Sequence, residues 1–274
     1  MSNELNKLIE TIATQLETDL RLGGPWLPID TLDIKRSPVT MTMANQALGR
    51  GSVHKNPGQQ HQSPLRQKQS SQVDHSAQTA QLTTLGETIC ACQLCPLHES
   101  RTQAVPGIGH GNAKIVFVGG APNETEQGAG APLVGPAGDL FDKIIAAMGL
   151  ARTDVFLTNI LKCHIGDSLK ASPGMLTSCT PYLHQQLALI QPEIIVALGE
   201  DAAQYLLLSD VAIDKLRGRV HMVQSAVGGK SIKSIVIYHP NYLLENYTIE
   251  IRKRMWEDMQ RVMTTIGMTP PQLH

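Results

Sequence analysis

Four short apolar runs, separated by segments of helical spacing, constrain this chain more than any other feature. They are Lys114-Ile-Val-Phe-Val-Gly119, Asp154-Val-Phe-Leu-Thr-Asn-Ile160, Glu193-Ile-Ile-Val-Ala-Leu-Gly199 and Ser234-Ile-Val-Ile-Tyr238. Runs of this length without polar alternation read as strands buried on both faces. Residues 138–148, 176–190, 201–208 and 249–266 between and after them carry helical periodicity. Strand and helix in alternation imply a parallel sheet covered on both sides. The expectation is therefore an α/β, three-layer sandwich with a central four-stranded parallel sheet flanked by helices. Sites in such sheets gather beyond the C-terminal ends of the strands.

The N-terminal third has a different texture. Leu5, Leu8, Ile9, Ile12, Leu16 and Leu20 recur at helical spacing until Gly23, Gly24 and Pro25 end the pattern. From about residue 37 the chain turns to Gln, Ser, His, Asn and Gly, with Asp74 set against Arg50, Lys55, Arg66 and Lys68. Such a segment buries too little apolar surface to offset its ordering entropy. The expected organisation is an N-terminal helical extension (1–36), a disordered polar linker (37–85) and an α/β domain (86–268). The extension is a candidate for docking an unknown protein partner, or for packing on the core.

Composition narrows the function classes. A hydrophobic fraction of 42 % in 274 residues supports a real core, and aromatics at 4 % leave it to aliphatic side chains. A net charge of −1 makes no global case for nucleic acid, although binding depends on local surface rather than on the total. No apolar run approaches the ~20 residues of a membrane span. Polar residues interrupt the first twenty positions, unlike a secretory signal. A cytoplasmic, monomeric protein with no membrane contact is expected. Five cysteines in a reducing compartment then favour metal ligation or free thiols over disulfides.

Cys92-Gln-Leu-Cys95 precedes the first strand, Cys163 follows the second, and Cys179 lies sixteen residues beyond it. A C-x-x-C pair binds one metal centre from a tight turn, and two distant thiolates complete it. Spacing alone does not choose zinc or an iron–sulfur cluster. Cys90 is left over and reads as a free thiol.

The strand ends carry the remaining chemistry. After the first strand come Gly119-Gly-Ala-Pro-Asn-Glu-Thr-Glu126 and Gly130-Ala-Pro-Leu-Val-Gly-Pro-Ala-Gly138, dense enough in glycine for backbone N–H groups to approach a ligand. Asn159 offers a donor and an acceptor together, which suits the edge of a base. His239, at the fourth strand end, is placed to donate to a developing anion.

In this order the motifs resemble the family-4, iron–sulfur branch of the uracil-DNA glycosylase superfamily. The resemblance runs from about Ile89 to Thr264. It comprises the cysteine quartet, Arg101-Thr-Gln-Ala-Val-Pro-Gly107, the Gly-x-Ala-Pro loop, Pro132-x-Val-Gly-x-Ala-Gly138, Asn159 to Cys163, Leu198-Gly199, Leu216-Arg-Gly218 and His239-Pro240. It implies a 4Fe-4S cluster on Cys92, Cys95, Cys163 and Cys179. It also implies DNA as partner, single- or double-stranded, and hydrolysis of the N-glycosidic bond of uracil to leave an abasic site in base-excision repair. His239 and the backbone near Gly120 and Ala121 would stabilise the departing anion, Asn159 would read the pyrimidine, and Glu126 would orient or activate water. Gly119, Pro122 and Leu133 would line the base pocket. Tyr242, Leu243 and Leu244 would fill the vacated stack.

The chain departs from the family pattern at three places. Gly120 stands where Glu is usual, Leu133 where an aromatic is usual, and His164-Ile-Gly-Asp-Ser168 where Arg-Pro-Pro is usual. These departures set two alternative expectations: a DNA-binding module of the same fold that does no chemistry, or a glycosylase of altered base preference.

Overall fold

The computed structural model describes residues 75–166, 170–224 and 231–271. The expected N-terminal helix and the polar segment up to residue 74 lie outside the described residues.

The four apolar runs form the middle of the sheet, as β2 (Ile115–Gly119), β3 (Phe156–Asn159), β4 (Ile194–Leu198) and β6 (Ser231–Ile237). They pair in parallel, β3 with β2, β2 with β4 and β4 with β6. The sheet itself is six-stranded and mixed, in the order β1-β3-β2-β4-β6-β5, which corrects the expectation of four parallel strands. The added edges, β1 (Ile108–Gly109) and β5 (Val220–Gln224), pair antiparallel with β3 and β6. Neither edge carries an apolar run: β1 has two residues, and β5 alternates His and Gln with apolar residues because it is covered on one face alone.

Side chains alternate across each strand, so the two faces have separate cores. Phe117, Leu157, Val196 and Ile235 face α4 (Gly135–Ala147), α8 (Pro240–Glu245) and α9 (Ile249–Thr265). Val116, Val118, Ile195 and Val236 face α5 (Pro173–Ile190), α6 (Gly199–Leu207) and the short α7 (Ile213–Leu216). Among the few aromatics, Phe117 and Phe141 meet edge-to-face at 4.8 Å. Helix starts follow local capping chemistry: Ser172 accepts from Met175 N–H ahead of Pro173, and Thr248 accepts from Ile251 N–H.

A third cluster lies off the sheet. Helix α1 (His75–Cys90) sets Leu85 and Ile89 against Leu97 of α2 (Leu97–Ser100), Leu161, Cys163, Cys179 and Tyr182. Residues 75–85 are thus helical, and this corrects the boundary of the expected linker. The reason is visible in hindsight: Leu82, Leu85 and Ile89 keep helical spacing within a polar run, and their partners come from α5 and from the segment after β3. Gln78 Nε2 adds a 3.0 Å bond to the Leu189 carbonyl on α5. Ile89→Ala should lower stability by about 2–5 kcal/mol, read as a lower denaturant midpoint. An unchanged midpoint would mean that α1 does not carry this cluster.

Candidate active site and thiol centre

The connection from β2 to β3 runs to one side of β2, and β4 lies on its other side. This reversal opens a crevice at the C-terminal ends of the strands. The register sets Gly119 directly against Asn159 there. Asn159 is 5 % exposed, and its side-chain Oδ1 lies so close to Gly119 that a Cβ at residue 119 would overlap it. Glycine is required here by close approach rather than by backbone angle. The Asn159 Nδ2 donor is buried with no hydrogen-bond partner among the described residues. Buried polar groups are normally paired, so this orphan marks a place for a ligand acceptor.

The glycine-rich loop is held from several sides. Ile160 and Leu161 N–H groups donate to the Gly119 and Gly120 carbonyls, extending the ladder past the strand ends. Asn123 caps α3 (Glu124–Ala129) in a reciprocal capping box: its side chain accepts from Glu126 N–H, and Glu126 Oε2 accepts from Asn123 N–H at 2.9 Å. The other carboxylate oxygen of Glu126 accepts from Leu133 N–H. Burial raises the Glu126 pKa, and the two backbone donors oppose that rise. Glu126 is buried, and each of its oxygens holds one loop N–H, so it braces the loop.

Leu133 is the other end of that brace. It is buried and left-handed at φ 50°, an uncommon conformation for a side chain of its size. Glu126 holds its N–H, Arg152 Nη2 donates to its carbonyl at 2.8 Å, and Gly138 leaves room for that carbonyl beneath it. Leu133 packs with the core under α4. Pro122 is also buried, and its carbonyl accepts from His164 Nδ1 at 2.9 Å. His164, one of the departures from the family pattern, thereby ties the segment after Cys163 to the loop.

His239 caps α8. Its Nδ1 accepts from Asn241 N–H at 3.2 Å, which leaves the ring proton on Nε2. Desolvation lowers its pKa to about 4, so the ring is neutral at physiological pH. Gly199, at φ 84°, brings the end of β4 within van der Waals reach of the His239 side chain. Gly120 meets a different neighbour, since a Cβ there would lie 2.9 Å from Asp201 Cβ. Asp201, on the first turn of α6, has no hydrogen-bond partner among the described residues. It lines a cavity of about 540 Å³ with Gly120, Ala121, Ile160, Leu161 and Tyr205.

The structure therefore joins Asn159 to Gly119, Glu126 to Leu133 and His239 to Gly199 along one sheet edge. It does not bring Leu243 to that edge. Leu243 is fully buried in the core beneath α8, so its expected place in a DNA stack is corrected. On the same short helix Tyr242 is exposed and stacked on Tyr238 at 5.0 Å, and Leu244 is half-buried.

Cys92, Cys95, Cys163 and Cys179 line one small cavity with Arg101, Lys162 and Tyr182, while Cys90 sits exposed at the end of α1. Among the described residues, no three Cys, His, Asp or Glu side chains converge as ligands of a single ion. The walls donate to sulfur. Arg101 Nη1 reaches Cys163 Sγ at 3.1 Å and Lys162 N–H reaches Cys179 Sγ at 3.2 Å. Arg101 Nη2 also binds the Cys90 and Cys92 carbonyls and so fixes the C-x-x-C turn. Burial pushes the Cys179 thiol up to about 11 and raises Cys163 despite the guanidinium. Both are then protonated until a metal displaces the proton. Arg101 and Lys162 lie in motifs of the resemblance but carry no role in the sequence; Arg152 and Asp201 carry no spacing signal, because their neighbours at the site come from other segments.

A profile of the uracil DNA glycosylase superfamily matches residues 106–260. The chain is 38 % identical over 189 residues to a type-4 uracil-DNA glycosylase of Archaeoglobus fulgidus, covering 68 % of this chain and 93 % of that protein. It is 36 % identical over 183 residues to the type-4 uracil-DNA glycosylase of Thermotoga maritima, covering 66 % and 93 %. The corresponding protein of Saccharolobus solfataricus is 35 % identical over 194 residues, covering 69 % and 88 %. On this profile match, which spans more than half of the chain, and on these relatives, the chain belongs to the uracil DNA glycosylase superfamily.

Proposed function

We propose that this protein is a uracil-DNA glycosylase that hydrolyses the N-glycosidic bond of uracil in DNA and leaves an abasic site for repair. The observation that carries the reading is the buried Asn159 amide, packed on Gly119 with its Nδ2 donor unpartnered at the sheet edge. Its relatives are type-4 uracil-DNA glycosylases. No helix among the described residues is long and apolar enough to cross a membrane.

A target base must leave the stack before chemistry, at a cost of a few kcal/mol. Asn159 Nδ2 then donates to a uracil carbonyl and Oδ1 faces the N3–H, an arrangement that cytosine, with a bare N3, does not match. As the bond breaks, negative charge grows on O2. The neutral His239 Nε2–H and the backbone at Gly120 and Ala121 meet that charge without proton transfer. Positive charge on the sugar calls for a carboxylate. Glu126 is engaged, so that role passes to Asp201, which faces Gly120 with free oxygens. Of the three residues expected to fill the vacated stack, Tyr242 and Leu244 keep that place and Leu243 does not.

The four thiols fit a 4Fe-4S cluster. They surround a cavity instead of meeting at a point, and N–H donors face two of the sulfurs, as cluster sites require. When bound, such a cluster supplies cross-linking between the segments before β2 and after β3. The chain's own residues carry out the hydrolysis. Brown protein with broad visible absorbance bleached by dithionite is expected; colourless protein with stoichiometric zinc would overturn the cluster.

A uracil oligonucleotide incubated with the full chain should be cut by subsequent alkali treatment, and Asp201→Asn should slow release while leaving affinity for free uracil unchanged. Intact single- and double-stranded substrates despite measurable DNA binding would instead select a module without chemistry.

The pH profile offers a further check. His239 titrates near 4 in the folded chain, below its ordinary value of about 6.5. The rate should therefore show no histidine inflection between pH 5 and 8. For stability the sign follows from proton uptake. Below about pH 6.5 the unfolded histidine binds a proton that the folded one refuses, so stability falls as pH drops towards 4 and is unaffected above 7. A rate that halves near pH 6.5 would contradict the neutral-ring role.

A further inference from the structure

Lys162 is a buried lysine with no carboxylate bonded to it, and burial lowers its pKa to about 7. It is 1 % exposed, and its ammonium group donates to three neutral acceptors: Thr158 Oγ1 at 2.6 Å, the Asn159 carbonyl at 2.6 Å and Gln186 Oε1 at 2.8 Å. Gln186 is itself held by the Pro106 carbonyl, which it reaches through Nε2. A buried charge without an opposite charge is costly and is normally paired or used. Lys162 also lines the thiol cavity, donates its backbone N–H to Cys179 Sγ, and directly precedes Cys163. Thiolates carrying a cluster place net negative charge in that cavity.

We propose that Lys162 is a positioning residue joining the two sites: its ammonium group is the buried counter-cation of the thiolate-bound cluster, and its hydrogen bonds to Thr158 and Asn159 fix the end of β3 that carries the base-reading amide. The base-reading half of this rests on the proposed uracil chemistry; the counter-cation half does not. Arg101 plays the matching part on the other side, touching Cys163 Sγ from the C-x-x-C turn. Of the two cations, Lys162 alone reaches the strand end. Cluster loading and uracil binding are then coupled through one side chain, and the coupling is reciprocal.

The test uses the full, cluster-loaded chain with two variants and two readouts, the midpoint potential of the cluster and the affinity for free uracil. Lys162→Met removes the charge at similar volume. It should move the potential to more negative values, because a nearby positive charge no longer favours the reduced cluster. It should also weaken uracil binding about tenfold, the scale of one lost positioning hydrogen bond. Thr158→Val removes one acceptor and keeps the charge, so it should weaken uracil binding and leave the potential unmoved. A Lys162→Met protein with an unchanged potential overturns the counter-cation, and unchanged uracil affinity in both variants overturns the positioning role. A folded Lys162→Met chain that loads no cluster where Thr158→Val loads one supports the counter-cation, and Thr158→Val then decides the positioning role, with unchanged affinity as the contrary result. If the wild-type chain binds no uracil, the proposed function fails, and the potential arm still judges Lys162.

Discussion

Everything at the working edge depends on a missing side chain. Parallel pairing of β2 with β3 brings Gly119 opposite Asn159, and the amide oxygen sits where any Cβ at residue 119 would have to be. Because that space is free, Asn159 lies flat against the strand end, buried, with one donor left over. A buried unpaired amide is unfavourable on its own. Its cost is offset when a ligand with the complementary pattern arrives, and this makes the position selective as well as attractive.

Around that contact the chain spends its polar groups on rigidity. Glu126 and Arg152 grip Leu133 at its N–H and its carbonyl and so hold a left-handed turn that the leucine would not choose. His164 ties Pro122 to the segment carrying Cys163. Arg101 closes the C-x-x-C turn, and Lys162 links the thiol cavity to the end of β3. Two of the three departures from the family pattern thereby acquire physical roles. Gly120 makes room for Asp201, and His164 makes a loop contact. For Leu133 the structure supplies a tightly held wall without an aromatic face.

The parallel core and the grouping of the four cysteines were legible in the sequence, because uninterrupted apolar runs and a C-x-x-C pair are local signals. Helix α1 was not, since its three apolar contacts sit inside a polar run and gain meaning only against α5. The edge strands escaped for a related reason: β5 is covered on one face, and β1 is too short to carry a pattern. At the site, Asn159, His239 and the glycine loop could be placed from their positions at strand ends. What Glu126 does could not, because a capping box and a bond to Leu133 seven residues away are facts of folded geometry. The same holds for Leu243, whose spacing fits both a wedge and a core residue until the packing of α8 turns it inward.

The central claim is that the Gly119–Asn159 contact makes this sheet edge a uracil site. It is tested most directly by the rate of uracil release from DNA by Gly119→Ala beside the unmodified chain, both cluster-loaded and both checked for folding. One methyl group, whose nearest neighbours are Asn159 and Thr158 and none of the thiol-cavity residues, should leave cluster and fold intact while displacing the Asn159 amide, and release should fall at least about 100-fold, the scale of a lost transition-state donor. Release at the unmodified rate from a folded, loaded Gly119→Ala protein would show that Asn159 does not read the base from this position.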